Sequence, residues 1–133
     1  MTATAIRASG SPRRSSAFAP DLVRRIRETD EVRIEPDSTR TPVTIWAVSV
    51  GRNVYVRSYL ARKGGWYRAV LENGRAILHV GRSRVHVRVV PEKSPSIIER
   101  VSGAYRRKYQ RYQETEAMLK PSVARTTLRL VPD

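Results

Sequence analysis

Arg57-Ser58, followed closely by Arg62-Lys63-Gly64-Gly65, brings together the groups that hold a phosphate. The run offers cationic forks, a hydroxyl and backbone amides that no side chain shields. A glycine pair ahead of a helix lets the main chain approach an anion, and a helix N-terminus favours negative charge. A charge-assisted hydrogen bond contributes roughly 1.5–3 kcal/mol. Two or three of them, with one buried ring, reach the roughly −8 kcal/mol of micromolar binding. An exposed basic turn would carry the same residues. Trp66 and Tyr67 come next and could wall a planar ring, although aromatics at helical spacing also fill cores.

Other chemistry is poorly supplied. The chain has no cysteine, which excludes disulfides, thiolate catalysis and cysteine zinc sites. His79 and His86 match no metal-ligand spacing and have no carboxylate cluster beside them, so no metal site is expected. No nucleophile–base–acid set stands out, and an enzyme built on this chain would need a cofactor to carry its chemistry. Tyr105, Tyr109 and Tyr112 alternate with Arg106, Arg107, Lys108 and Arg111. Such a helix either lies on nucleic acid or packs through its tyrosines on the rest of the protein or a second subunit.

These residues must be positioned by a small domain. The chain has 133 residues, enough for one domain. Residues 1–18 lack apolar periodicity and read as a disordered tail; residues 19–133 form the domain. Pro20 and Asp21 open a short helix whose Leu22, Val23 and Ile26 share a face. Alternation then predicts strands at 31–35, 42–50, 54–58, 76–80, 85–89 and 126–131. The run 42–50 is apolar on both faces and reads as a central strand covered on both sides. Trp66–Leu71 reads as a short helix, with Trp66/Val70 and Tyr67/Leu71 as buried pairs. The longest helix starts near Pro95, with Ser94 or Ser96 as its cap. Hairpins rather than βαβ repeats argue for an antiparallel α+β fold with six strands.

The formal net charge is +14. Between Arg52 and Arg88 nine bases face Glu72 alone, a field that attracts anions. Lys63, Lys93, Lys108 and Lys120 are the only lysines, a bias towards arginine that a GC-rich genome would also give. No stretch approaches the ~20 apolar residues of a membrane span. Arg13-Arg14 is followed by Ser15–Pro20 and a charged segment rather than by an apolar one, so an export signal is rejected and a cytosolic protein is expected.

The runs Thr41–Trp46, Val54–Ser58 and Gly64–Arg68 together resemble the FMN-binding split-barrel superfamily, which includes pyridoxamine-phosphate-oxidase-like and deazaflavin-dependent nitroreductase-like proteins. With Ala104–Tyr109 and Thr127–Pro132 added, the chain from Ile26 to Asp133 resembles a family of small bacterial proteins of unknown function in that superfamily. The resemblance implies an antiparallel six-stranded split β-barrel with flanking helices. It also implies a homodimer with an FMN or deazaflavin phosphate at the subunit interface, and a small oxidoreductase activity. Carried over residue by residue, the cofactor would be held by Ser58, Lys63, Gly64 and Trp66, with Arg57 an added cation. The Gly64-Gly65 amides, Thr44 and Trp46 would line the same site. Two features depart from the relatives: Asp37–Thr41 replaces a Gly-Arg-Lys-Ser-Gly run, and Arg68-Ala69-Val70 follows Trp66-Tyr67 where the relatives carry His-Asn-Leu. A basic nucleic-acid-binding module and a cofactor-free interaction barrel are the competing readings.

Overall fold

The computed structural model describes residues 17–36 and 41–133. Helix α1 (Pro20–Glu28) begins on Pro20, where a missing N–H costs nothing, and buries Val23 and Ile26. Strand β1 (Val32–Glu35) alternates as expected, with Val32 and Ile34 buried. The run after it is divided. Strand β2 (Val43–Ile45) and strand β3 (Ala47–Val50) are separated by Trp46 alone. A tight turn with Gly51 at φ 61° leads into β4 (Asn53–Val56). A 3-10 turn (Ala61–Lys63) precedes α2 (Gly65–Asn73), which Gly74 ends in the left-handed conformation at φ 76°. Strands β5 (Arg75–Val80) and β6 (Ser83–Pro91) form a long hairpin. Helix α3 (Pro95–Lys108) is capped by Ser94, whose hydroxyl accepts from the Ile97 amide. Two single turns, α4 (Thr115–Met118) and α5 (Pro121–Ala124), lead to β7 (Leu128–Pro132).

The architecture is α+β, with one antiparallel, nearly closed barrel-like sheet in the order β2-β1-β5-β6-β7-β4-β3. Its two edge strands, β2 and β3, are consecutive in the chain. β2 pairs with β1 (Ile34 opposite Val43) and β3 pairs with β4 (Ala47 opposite Val56). The sheet is therefore closed on itself covalently, through the bend at Trp46, and its split lies at that residue. This corrects the expectation of six strands with a central one at 42–50. The two halves of that run are the edges, and Val43 and Thr44 are exposed. The second half does have both faces covered, since Ala47 and Val48 are each 1% exposed.

Two apolar layers follow from the alternation. Val32, Ile34, Val54, Val56, Leu78, Val87, Leu128 and Leu130 fill the barrel, with Val23 and Ile26 of α1 and Val70 of α2. Phe18, assigned from sequence to the tail, is a buried member of this core, so the ordered domain starts before residue 19. Residues 1–16 of that tail lie outside the described residues. On the outer face Val48 and Tyr55 meet Val101, Ala104 and Tyr105 of α3, with Tyr109, Met118 and Val123. The tyrosine stripe is thus packed on the barrel: Tyr105 and Tyr109 are fully buried, and burial raises the pKa of both phenols. In α2 the buried residues are Tyr67, Ala69 and Val70, whereas Leu71 is exposed, which corrects the Tyr67/Leu71 pair. No helix among the described residues is long and apolar enough to cross a membrane.

Candidate functional site

Strand β4 ends at Val56, and the chain turns inward through Arg57. This guanidinium is buried, 1% exposed. Its Nε donates to Thr127 Oγ1, its Nη1 to the Met118 carbonyl and its Nη2 to the Ile98 carbonyl, each at 2.9 Å. The group also lies over the Tyr105 ring, 5.4 Å from its centroid. None of these partners is a carboxylate, so the charge is solvated by dipoles and a π face rather than neutralised. Burial lowers the Arg57 pKa, with Tyr105 and Glu99 opposing; an arginine stays protonated even so. Of five guanidinium N–H groups, three are donated, which leaves one hydrogen on each Nη.

Ser58 then anchors a loop. Its amide donates to Thr126 Oγ1 (2.9 Å) and its hydroxyl to the Ala61 carbonyl (2.7 Å). Ala61 sits at φ 55°, a left-handed conformation costly for a residue with a Cβ, and its carbonyl also accepts from the Gly64 amide. A Cβ on Gly64 would lie less than 3.0 Å from Ser58 Oγ. The glycine is required by the serine, and its amide is already used. Helix α2 has no side-chain cap, and the first-turn amides of Gly65, Trp66 and Tyr67 have no backbone partner outside the helix among the described residues. Those amides, rather than that of Gly64, are the open donors at this end of the loop.

A cavity of about 600 Å³ opens at the split of the barrel. It collects Thr44 and Trp46 from the bend, Arg57 and Ser58 from the end of β4, and Gly64, Gly65 and Trp66 from the start of α2. Lys63 does not reach it. That residue lines a second hollow, which shares Tyr59 and Leu60 with the first. Trp66 is half-buried and stands edge-on to Tyr67, with centroids 6.2 Å apart. One face of Trp46 is already occupied by Tyr109, stacked at 4.0 Å and 3°.

Tyr59, Leu60, Glu114 and Met118 also line the cavity, and none was singled out from sequence. Tyr59 and Leu60 carry a readable signal, two large apolar side chains in a polar loop; they are 56% and 63% exposed. Glu114 and Met118 carry none, because the turn that holds them is placed by tertiary packing. His79 and His86 stay out of the site. His79 Nε2 pairs with Glu35 Oε1 at 2.8 Å across β5 and β1, and His86 is exposed. No group of three or more metal-ligating side chains occurs among the described residues.

Residues 22–130 match the family described as "Uncharacterized protein conserved in bacteria (DUF2255)". The chain belongs to this family. No curated protein matches it. Among solved structures, this DUF2255 chain is similar to a Listeria innocua protein designated "Putative Pyridoxamine 5'-phosphate oxidase", with a TM-score of 0.59 and 15% identity over 85% of this chain and 91% of the other. It is also similar to the conserved hypothetical protein Rv2991 from Mycobacterium tuberculosis, with a TM-score of 0.54 and 10% identity over 90% of this chain and 83% of the other. At these identities the likeness is one of fold, and it agrees with the nearly closed antiparallel barrel of the DUF2255 chain.

Proposed function

We propose that this DUF2255 protein binds a flavin or deazaflavin phosphate in the cavity at the barrel split and acts, as a cytoplasmic homodimer, as a small oxidoreductase. The observation that carries the reading is the convergence in one cavity of a half-buried tryptophan, a buried guanidinium with no carboxylate partner and an uncapped helix N-terminus. The volume falls within the roughly 300–1,000 Å³ of small-molecule sites. Its mainly carbon lining suits a planar ring, and its cation and open amides suit an anion.

In this arrangement Trp66 and the bend Thr44–Trp46 hold the ring. The Gly65 and Trp66 amides receive the phosphate, and Arg57 supplies a fixed positive field behind it. Ser58 and Gly64 act on the shape of the loop through their mutual contact. When bound, such a cofactor supplies two-electron redox chemistry, for which the chain has no groups of its own. Val43, Tyr59 and Leu60, exposed around the mouth, would be covered by a second copy, which would exclude water from the ring.

The test is the absorption spectrum of the purified protein, with mass spectrometry of any released ligand. A flavin-region band with a matching mass is expected. Colourless protein that takes up neither FMN nor deazaflavin at high micromolar concentration would overturn the reading.

A further inference from the structure

The second hollow, of about 480 Å³, has a different chemistry. Arg62 and Lys63 reach it from the 3-10 turn, and Lys120, Ser122 and Arg125 from α5 and its flanks. All four cations are exposed, none has an ion-pair partner among the described residues, and no carboxylate lines the hollow.

The two pairs of cations come from distant parts of the chain and are held together by buried bonds. The Ser58 amide donates to Thr126 Oγ1, and that hydroxyl donates to the Val123 carbonyl at 2.6 Å. These bonds fix the loop carrying Arg62 and Lys63 against α5, which Lys120 and Arg125 flank. Like charges gathered at one hollow repel, and a multiply charged anion removes that repulsion. Arginine forks match phosphate oxygens in pairs, and Ser122 adds a hydroxyl. A single phosphate, with about −1.5 to −2 charge, would leave the four cations half-neutralised.

We infer that this hollow binds the phosphate chain of a small molecule, two or three phosphates long. The inference does not rest on the reading of the neighbouring cavity, since it uses none of the ring-holding residues.

Isothermal titration of the full chain with inorganic tripolyphosphate at low salt tests it, with inorganic phosphate as the comparison. Saturable one-to-one binding is expected, about tenfold or more tighter than for phosphate. A nucleoside triphosphate should bind as well as tripolyphosphate. The variant Lys120→Ala/Arg125→Ala should weaken binding about tenfold or more, because two charged contacts are lost. Arg82→Ala/Arg84→Ala removes the same charge from two exposed arginines that do not line the hollow, and it should leave affinity unchanged. All of these are surface positions, and circular dichroism will confirm folding. Equal weakening by both double variants would mean a response to net charge and would overturn the inference. So would binding of a nucleotide but not of tripolyphosphate, or tighter binding of an oligonucleotide than of either.

Discussion

The two hollows that share Tyr59 and Leu60 use positive charge in opposite ways. The cavity at the barrel split holds one guanidinium, fully buried and hydrogen-bonded three times to the protein. The neighbouring hollow holds four cations in water, bonded to nothing described. A buried cation is part of the fold before it is part of a site: it orders three chain segments and acts on a ligand as a fixed, unscreened field. Exposed cations contribute little to stability and are screened by salt, yet they can move to meet an anion. Substitutions of the cations should therefore separate the two regions: at Arg57 binding and folding fail together, and at the four exposed cations only binding fails.

The largest effect is expected at Arg57. Arg57→Ala strips partners from two carbonyls and a threonine hydroxyl in the interior. It should lower unfolding free energy by about 1–3 kcal/mol for each buried acceptor left without a donor, read from urea denaturation. A loss below about 1 kcal/mol would mean that water replaces the guanidinium and that Arg57 is free for a ligand.

Gly64 comes next. Gly64→Ala forces a methyl against Ser58 Oγ and should cost about 1–3 kcal/mol, as overpacking does. Adding Ser58→Ala should recover part of that loss, because the clashing atom is removed. An additive double variant would show that the loop, not the serine, rejects the methyl.

Lys108 sharpens the contrast with a second enclosed cation. Its Nζ donates to the Ile26 carbonyl at 2.8 Å and the Ala47 carbonyl at 2.6 Å, joining α1, β3 and α3. Burial lowers its pKa to about 8, with Asp30 opposing. Between that pH and the ordinary value of 10.5, the unfolded chain holds a proton that the folded chain has released. This group's contribution to stability therefore rises with pH across the window and is flat below it. Lys108→Met should remove that rise from a series of denaturation curves. An unchanged slope would place the titration elsewhere.

Gly65 gives the smallest effect, of opposite sign to that of its neighbour. A Cβ there meets nothing within 4 Å, so Gly65→Ala should stabilise by up to about 1 kcal/mol through helix propensity. A destabilised variant would show that the amide end of α2 is more crowded than the open geometry implies.

Much of this was legible in the sequence, and the failures are local. Period-two alternation located the strands outside 42–50, and Gly51 and Gly81 marked the two tight hairpin turns because each takes a positive φ. The bend at Trp46 was not legible. No glycine or proline marks it, and a strand that changes partner keeps the same apolar composition on both sides of the change. The joining of Arg57, Ser58, Gly64, Gly65 and Trp66 at one cavity followed from their nearness in the chain. The diversion of Lys63 did not, because adjacent side chains in a 3-10 turn point about a third of a turn apart. Nor were the partners of Arg57 legible: they arrive from positions 41, 61 and 70 residues away.

A fluorescence titration of FMN, then of a deazaflavin, into the full chain reads whether the cavity at the split takes a planar ring beside Trp66. Saturable quenching with micromolar affinity is expected for one of the two. Trp66→Ala, checked to be folded, should weaken it about tenfold or more, and Lys120→Ala/Arg125→Ala should change it little. Quenching that Trp66→Ala leaves intact and Lys120→Ala/Arg125→Ala abolishes would contradict that placement of the ring.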